Sequence, residues 1–257
     1  MNIFASIGRV VLVFLGATGR LSVFAGEAIS HIVRPPIYWD LVLRQMMRIG
    51  YFSLPVVGLT AFFTGAVLCL QIYIGGNRYG AEAFVPQIVV LGITRELGPV
   101  IAGLMLAGRV SAAIAAEIGT MRVTEQIDAL TTLATNPFKY LVVPRIVAAV
   151  ISMPILVAVA DAIGVLGGYI IATRNLGFNG AVYMKNTMDF VTEGDISSGL
   201  VKSAVFGFII ALMGCFSGFN SKGGAQGVGA ATTHAVVSAS ILILAANYLM
   251  TSVLFSE

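Results

Sequence analysis

Runs of twenty or more apolar residues alternate along this chain with short polar stretches, a rhythm that suits helices crossing a bilayer. Five runs stand out, at residues 51–74, 86–118, 144–172, 199–218 and from Ala230 or Thr232 to residue 255. Gly75-Gly76-Asn77 closes the first, and a short polar turn follows at 78–83. The second is long enough to tilt or protrude. Pro144 suits the first turn of the third, and Pro154 predicts a kink inside it. Residues 120–139 and 173–198 are too polar to span, and each predicts one short helix, at 124–133 and 181–190. Asn136-Pro137 ends the first of these, and residues 220–229 predict a glycine-rich turn.

The N-terminal 33 residues are weaker. Arg9 ahead of an apolar run, with Val23-Phe24-Ala25 after it, has the outline of a cleavable signal, but Arg20 interrupts the run. The better reading is an amphipathic helix lying in the interface. Val10, Val11, Phe14, Leu15 and Phe24 would then face lipid, with Arg9, Arg20 and His31 towards water. Arg34-Pro35-Pro36 breaks it, Tyr38 and Trp39 suit the headgroup level, and residues 40–49 predict a short basic helix carrying Arg44 and Arg48. The expected fold is an all-α polytopic membrane protein. It has an N-terminal interfacial helix and connecting helix (1–50), then one domain of five transmembrane helices (51–257).

Composition agrees. The 257 residues are 58% hydrophobic and 11% charged, with mean hydropathy +0.93, whereas soluble chains carry about 25% charge. A net charge of +3 is too small to suggest nucleic acid. Cys69 and Cys215 sit in apolar runs without disulfide or metal spacing. Lys and Arg in the loops divide unevenly. Arg9, Arg20, Arg34, Arg44, Arg48, Arg122, Lys139, Arg145 and Lys222 fall on one side, against Arg78, Arg174 and Lys185 on the other. This bias places the N-terminus and the 124–133 helix in the cytoplasm and, with five spans, the C-terminus outside.

Charge gathers in the middle of the chain, at Arg95, Glu96, Arg109, Glu117, Arg122, Glu125 and Asp128. Ionisable groups in hydrocarbon are costly and default to a functional role. Arg95 and Glu96 are adjacent, so on a helix their side chains diverge by about 100° and would not both face one partner. Either they snorkel to water at the outer interface, or they line a cavity between helices and meet polar headgroups there. Lys202, close to Asp195, enters the fourth span at similar depth and is a candidate for the same rim. Asp161, mid-way along the third span, reads as an ion site or as a hydrogen-bonded structural acid. Gly103, Ala107, Ser111, Ala115 and Gly119 repeat every four residues, a ladder that lets helices pack closely in membranes. The 124–133 helix puts Ile127, Leu130 and Leu133 on one side and Glu125, Gln126 and Asp128 on another. It is either an interfacial loop helix or a coupling helix docking on a cytoplasmic partner.

Residues 223–229 are glycine-rich but lack the Lys-Ser/Thr of a phosphate-binding loop. No His-Glu-x-x-His or Gly-x-Ser-x-Gly is present, and no internal repeat supports an inverted-repeat carrier. Catalytic and metal-binding residues are therefore not expected, nor is a nucleotide bound by this chain. A partner-driven transporter, an ion-coupled carrier or channel using Asp161 and Glu96, and a membrane scaffold remain.

Arg95-Glu96-Leu97-Gly98-Pro99-Val100, Ala107-Gly108-Arg109, the run from Ala116-Glu117-Ile118-Gly119-Thr120-Met121-Arg122-Val123-Thr124-Glu125-Gln126-Ile127-Asp128-Ala129-Leu130, and Asn136-Pro137 strongly resemble the MlaE/YrbE family of ABC permeases. Lys202-Ser203 and Ala231-Thr232-Thr233 match further family positions, and the likeness covers nearly the whole chain. The resemblance implies a homodimer in a Gram-negative inner membrane. Its implied partners are two cytoplasmic ABC ATPase subunits, which bind ATP and Mg, a STAS-domain protein and a periplasmic MCE-domain hexamer. The implied activity is phospholipid movement between inner and outer membranes, maintaining outer-membrane lipid asymmetry. It would place Arg122, Thr124, Glu125, Gln126, Ile127, Asp128 and Leu130 in or beside a coupling helix against the ATPase. Arg95, Glu96 and Leu97 would line an outward-open lipid cavity at the dimer interface, with Lys202 on its rim and Tyr79 near its mouth.

Overall fold

The computed structural model describes residues 3–78 and 80–254. Among them all regular structure is helical: α1 (Ile3–Val33), α2 (Trp39–Ile49), α3 (Leu54–Asn77), α4 (Val85–Gly92), α5 (Gly98–Leu106), α6 (Ala112–Val123), α7 (Gln126–Thr132), α8 (Val143–Arg174), α9 (Gly180–Phe190), α10 (Glu193–Phe219) and α11 (Gly224–Leu254). The second span is one rod, α4–α5–α6, jointed by π turns at Ile93–Leu97 and Ala107–Ser111. A third π turn, Phe138–Val142, leads into α8. Each π turn changes the phase of the faces that follow it, and such turns favour functional sites.

Six helical runs among the described residues are long and apolar enough to cross a bilayer, which makes this a multi-pass membrane protein. The pattern predicts five. The sixth is Val11–Val33 of α1, where Arg20 and Glu27 are the only Asp, Glu, Lys or Arg residues in 23. Within α1, Arg9, Val11, Leu15 and Arg20 are exposed, and the side chains of Val10 and Phe14 lie outside the described residues. Phe24 departs from the expectation that it faces lipid. It is buried against Phe138, Phe216 and Phe219, with ring centroids 5.0, 5.6 and 5.7 Å away. His31 turns inward as well: its Nδ1 lies 2.8 Å from Glu27 O, and its Nε2 lies 3.1 Å from Asn136 Nδ2. Aromatic burial beats lipid exposure at Phe24 because three rings converge there.

Other boundaries move for local reasons. α10 begins at Glu193, six residues before the predicted span, because Thr192 and Asp195 form a capping box. α11 begins at Gly224 instead of near residue 230. Gly223 and Gly224, at φ +88° and +68°, complete the turn alone, and a Cβ on Gly227 would overlap the Lys222 carbonyl. α7 starts two residues late because Glu125 is left-handed (φ +61°), and Leu133, beyond its end, is exposed and not on the Ile127 side. Pro154 lies inside α8, which continues through it.

α8 packs between α3 and α10, and α10 packs in turn on α6 and α11. Lipid tails are as apolar as leucine, so these contacts rest on close packing rather than on a hydrophobic difference. Met153, Leu156 and Val157 of α8 and Phe206 and Ile210 of α10 fill the core, joined by Phe24, Ala28, Val42 and Ile49 from α1 and α2. Residues 1–50 thus share the core of the bundle. A smaller cluster of Cys69, Val85, Val89, Ala172 and Tyr183 pins α9 at the other end. The α3–α8 contact is the tightest: a Cβ on Gly65 would overlap the Gly164 carbonyl, and one on Gly167 would overlap that of Phe62. Gly65→Val should lower the thermal midpoint in detergent by the equivalent of about 1–3 kcal/mol of overpacking. Gly75→Val, at an open position of the same helix, should leave the midpoint within about a degree, since surface changes are worth about ±0.5 kcal/mol.

Candidate functional site

The Arg95-Glu96-Leu97-Gly98-Pro99 run can be read residue by residue. Pro99 has no N–H, so the Arg95 carbonyl four residues back loses its helical donor. The chain answers with the π turn Ile93–Leu97, in which the Gly98 N–H bonds to Ile93 O. Lys202 of α10 then supplies the missing donor, its Nζ lying 3.0 Å from Arg95 O. The approach is possible because Gly199, one turn earlier on α10, lies so close to the π turn that a Cβ would overlap the Thr94 carbonyl.

A buried ammonium needs a counter-charge. Lys202, fully buried, has Glu96 Oε1 at 2.8 Å and Thr251 Oγ1 at 2.8 Å. Glu96 also accepts from Asn247 Nδ2 at 2.8 Å and from Thr251 Oγ1 at 2.9 Å. Arg95 reaches Asp195 Oδ1 through Nε and Nη2, both at 2.5 Å. The other oxygen, Asp195 Oδ2, accepts from the Thr192 N–H and hydroxyl at 2.9 and 2.8 Å. Arg95 and Glu96 therefore do face one partner helix, contrary to the divergence expected of neighbours on an α-helix. Asp195 and Lys202 are seven residues apart, two turns on one face of α10, and the π turn lets both acceptor and donor meet them. Among the described residues the cluster holds two cations and two carboxylates, and the Arg95 side chain stays about one-third exposed (36%).

Leu97 points elsewhere. It lines a small apolar cleft with Val57, Ala61, Thr64 and Ala160, between α3, α5 and α8. Asp161 lies beside Gly98, where a Cβ would collide with its carboxylate, and its Oδ1 has no hydrogen-bond partner among the described residues. Tyr79 lies outside the described residues. Asn247 and Thr251 are missed by sequence reasoning. The available signal is a polar pair one turn apart near the end of the last span, just after the apolar run 241–246.

Glu117 stands about 33 Å along the rod from Arg95, at 1.5 Å per residue. Its Oε2 accepts from the buried Arg145 at 2.9 Å, and its Oε1 has exposed Arg48 at 3.4 Å. Just beyond it, Arg122 pairs with Asp128 of α7 at 2.7 Å. Ile127 is buried and Leu130 half-buried, while Thr124, Glu125, Gln126 and Asp128 are exposed on the short helix and its approach. A non-glycine residue at positive φ, as at Glu125, is uncommon and clusters at functional sites.

Between the two ends runs the small-residue ladder. Gly103, Ala107, Ser111, Ala115 and Gly119 are all buried. A four-residue repeat drifts about 40° per step on an ideal α-helix, and the π turn at Ala107–Ser111 takes up part of that drift. Gly103 meets Phe206 and Ile243, while Gly214 and Gly218 of α10 approach the Ser111 and Ala115 carbonyls.

The chain is similar in sequence to known proteins along nearly its whole length. The family described as Permease MlaE matches residues 42–253. A probable ABC transporter permease protein of Rickettsia conorii is 56% identical over 254 residues, covering 99% of this chain and 98% of the relative. Another from Synechocystis is 40% identical over 230 residues, covering 90% and 88%. The intermembrane phospholipid transport system permease protein MlaE of Haemophilus influenzae is 34% identical over 260 residues, covering 99% and 98%. ABC permeases work with ATPase activity held in a separate subunit. The chain belongs to the MlaE permease family of ABC transporters.

Proposed function

We propose that this chain is the permease of an ATP-driven phospholipid transporter of a Gram-negative inner membrane. It works as a homodimer with two cytoplasmic ATPase subunits that bind ATP and Mg, a STAS-domain protein and a periplasmic MCE-domain hexamer. Moving lipid between the inner and outer membranes would maintain outer-membrane asymmetry. With α1 lying in the interface and five helices crossing, the Lys/Arg bias favours a cytoplasmic N-terminus and a periplasmic C-terminus, which puts the Arg95 cluster near the periplasmic face and α7 at the cytoplasmic one.

The observation that carries the substrate is the Arg95–Asp195 pair. The described charges of the cluster balance, and the Arg95 side chain remains partly accessible. A phosphodiester can draw the guanidinium from Asp195, which keeps its two bonds to Thr192. The phospholipid named for the Haemophilus relative agrees with this chemistry. An ion-coupled carrier is less well supported, because Glu96 is already engaged by Lys202, Asn247 and Thr251.

α7 is the coupling helix in this reading. Closure of the ATPase pair presses on Glu125, Gln126 and Asp128. Ile127 and the Arg122–Asp128 pair pass the movement to α6, and the ladder carries it along α10 and α11 to the cluster at Arg95.

Phospholipid should co-purify with the complex and be identified by mass spectrometry; a lipid-free complex would count against the cavity. Arg95→Ala should lower lipid transfer in proteoliposomes about tenfold, the value of one charge-assisted hydrogen bond, while the ATPase subunits stay bound. Glu125→Lys with Asp128→Lys should lose those subunits in a pull-down. Retention of the ATPase by that double variant would sink the coupling assignment.

A further inference from the structure

The Glu117 end carries a feature that neither coupling nor the Arg95 cluster uses. An open cleft between α2, α6 and the start of α8 is lined by Arg44, Arg48, Arg145 and Glu117, with Met47 and Met121 among its apolar walls. Three cations face one carboxylate. Arg145 is 4% exposed; its Nη1 and Nη2 are held by Leu141 O (2.6 Å) and Glu117 Oε2 (2.9 Å). Its Nε–H, also buried, has no acceptor among the described residues. A buried guanidinium N–H left unpaired beside a cleft marks the place of a missing acceptor. Arg48 is only loosely held by Glu117, at 3.4 Å between exposed side chains, and Arg44 makes no ion pair among the described residues. Exposed pairs of this kind contribute little, so both arginines are free to turn to an anion.

The neighbouring surface says what kind of anion. Trp39, Leu43 and Met47 lie one turn apart on α2 and are all exposed, forming an apolar stripe beside the Arg44–Arg48 stripe. A helix with those two adjacent faces lies at the level where acyl chains meet headgroups. We infer that this cleft is a second lipid site, which holds the phosphate of an anionic phospholipid between Arg44, Arg48 and Arg145 while its chains run along Met47 and Leu43. Basic pockets between membrane helices take anionic headgroups in this way. The site is distinct from the Arg95 cluster and does not rest on the transport reading.

Native mass spectrometry of the intact, detergent-purified permease, equilibrated with equimolar phosphatidylglycerol and phosphatidylethanolamine, tests it. Wild type should retain phosphatidylglycerol preferentially, and Arg44→Gln with Arg48→Gln should reduce that preference about fivefold or more, with an unchanged thermal midpoint. The single variants should each give a partial loss, which keeps the test open if the double variant is unstable. Undiminished preference in both singles and the double overturns the site. Inorganic phosphate added alone should not raise the thermal midpoint; a rise without lipid assigns the cleft to a free anion and overturns the lipid reading. Loss of a co-purified protein by the variants, with lipid preference intact, overturns it in favour of a protein contact.

Discussion

A carbonyl without a donor is the constraint on which much of this molecule turns. Water in a loop would satisfy the Arg95 oxygen, but within a membrane-crossing rod it must find a partner from the protein. Pro99 creates the vacancy and Lys202 fills it at 3.0 Å. Bringing a lysine there requires a glycine at 199 for approach, an acid at 96 for charge, and polar residues at 247 and 251 to complete the acid's bonds. Three stretches distant in sequence are thereby tied at one depth. A buried pair of this kind is poor evidence for added stability, since well-packed apolar residues often do as well. What it specifies is register: α10 and α11 can meet the π turn in one arrangement.

The same rod meets different needs at its other end. Glu117 is shared between Arg145 and Arg48, and α7 is joined through Arg122 and Asp128. Between the ends, glycine and alanine replace bulk, so that the α6, α10 and α11 backbones come close. Packed cores are bistable rather than continuously deformable, so a push at one end travels as a change of register more readily than as a gradual strain. The two π turns break the regular i→i−4 bonding of the rod, and such turns are frequent at functional sites.

Much of this architecture can be read from the residues themselves. Long apolar runs locate the spans because hydrocarbon leaves a backbone no alternative to helix. The dense charge between Arg95 and Asp128 marks both ion-paired ends of the α4–α5–α6 rod, and the four-residue ladder marks the face that is buried. The π turns are not legible, because hydropathy carries no record of a single inserted residue; Pro99 is the one local hint. The α10 start hides in Thr192-Glu-Gly-Asp195, where the Asp serves both the cap and Arg95. Phe24 is misread as lipid-facing because amphipathic pattern cannot tell lipid from an aromatic cluster; only the meeting of Phe138, Phe216 and Phe219 decides.

The electrostatics of the two ends differ in a way that suits different treatment of lipid. At the Arg95 end each charge has a partner among the described residues, so a headgroup of the kind proposed above would bind there only by exchange, displacing one anion with another. Exchange of this kind leaves affinity modest and release easy, which a site passing cargo requires. At the Glu117 end three arginines line the cleft with one carboxylate, which pairs with only two of them, and a buried N–H is unmet among the described residues. An anion there adds bonds and gives up only the loose Arg48–Glu117 contact, so it should be held rather than passed. The contrast follows from charge count and hydrogen-bond satisfaction alone. It separates a lipid that is cargo from a lipid that anchors α2, and through it Val42 and Ile49, to the core of the bundle.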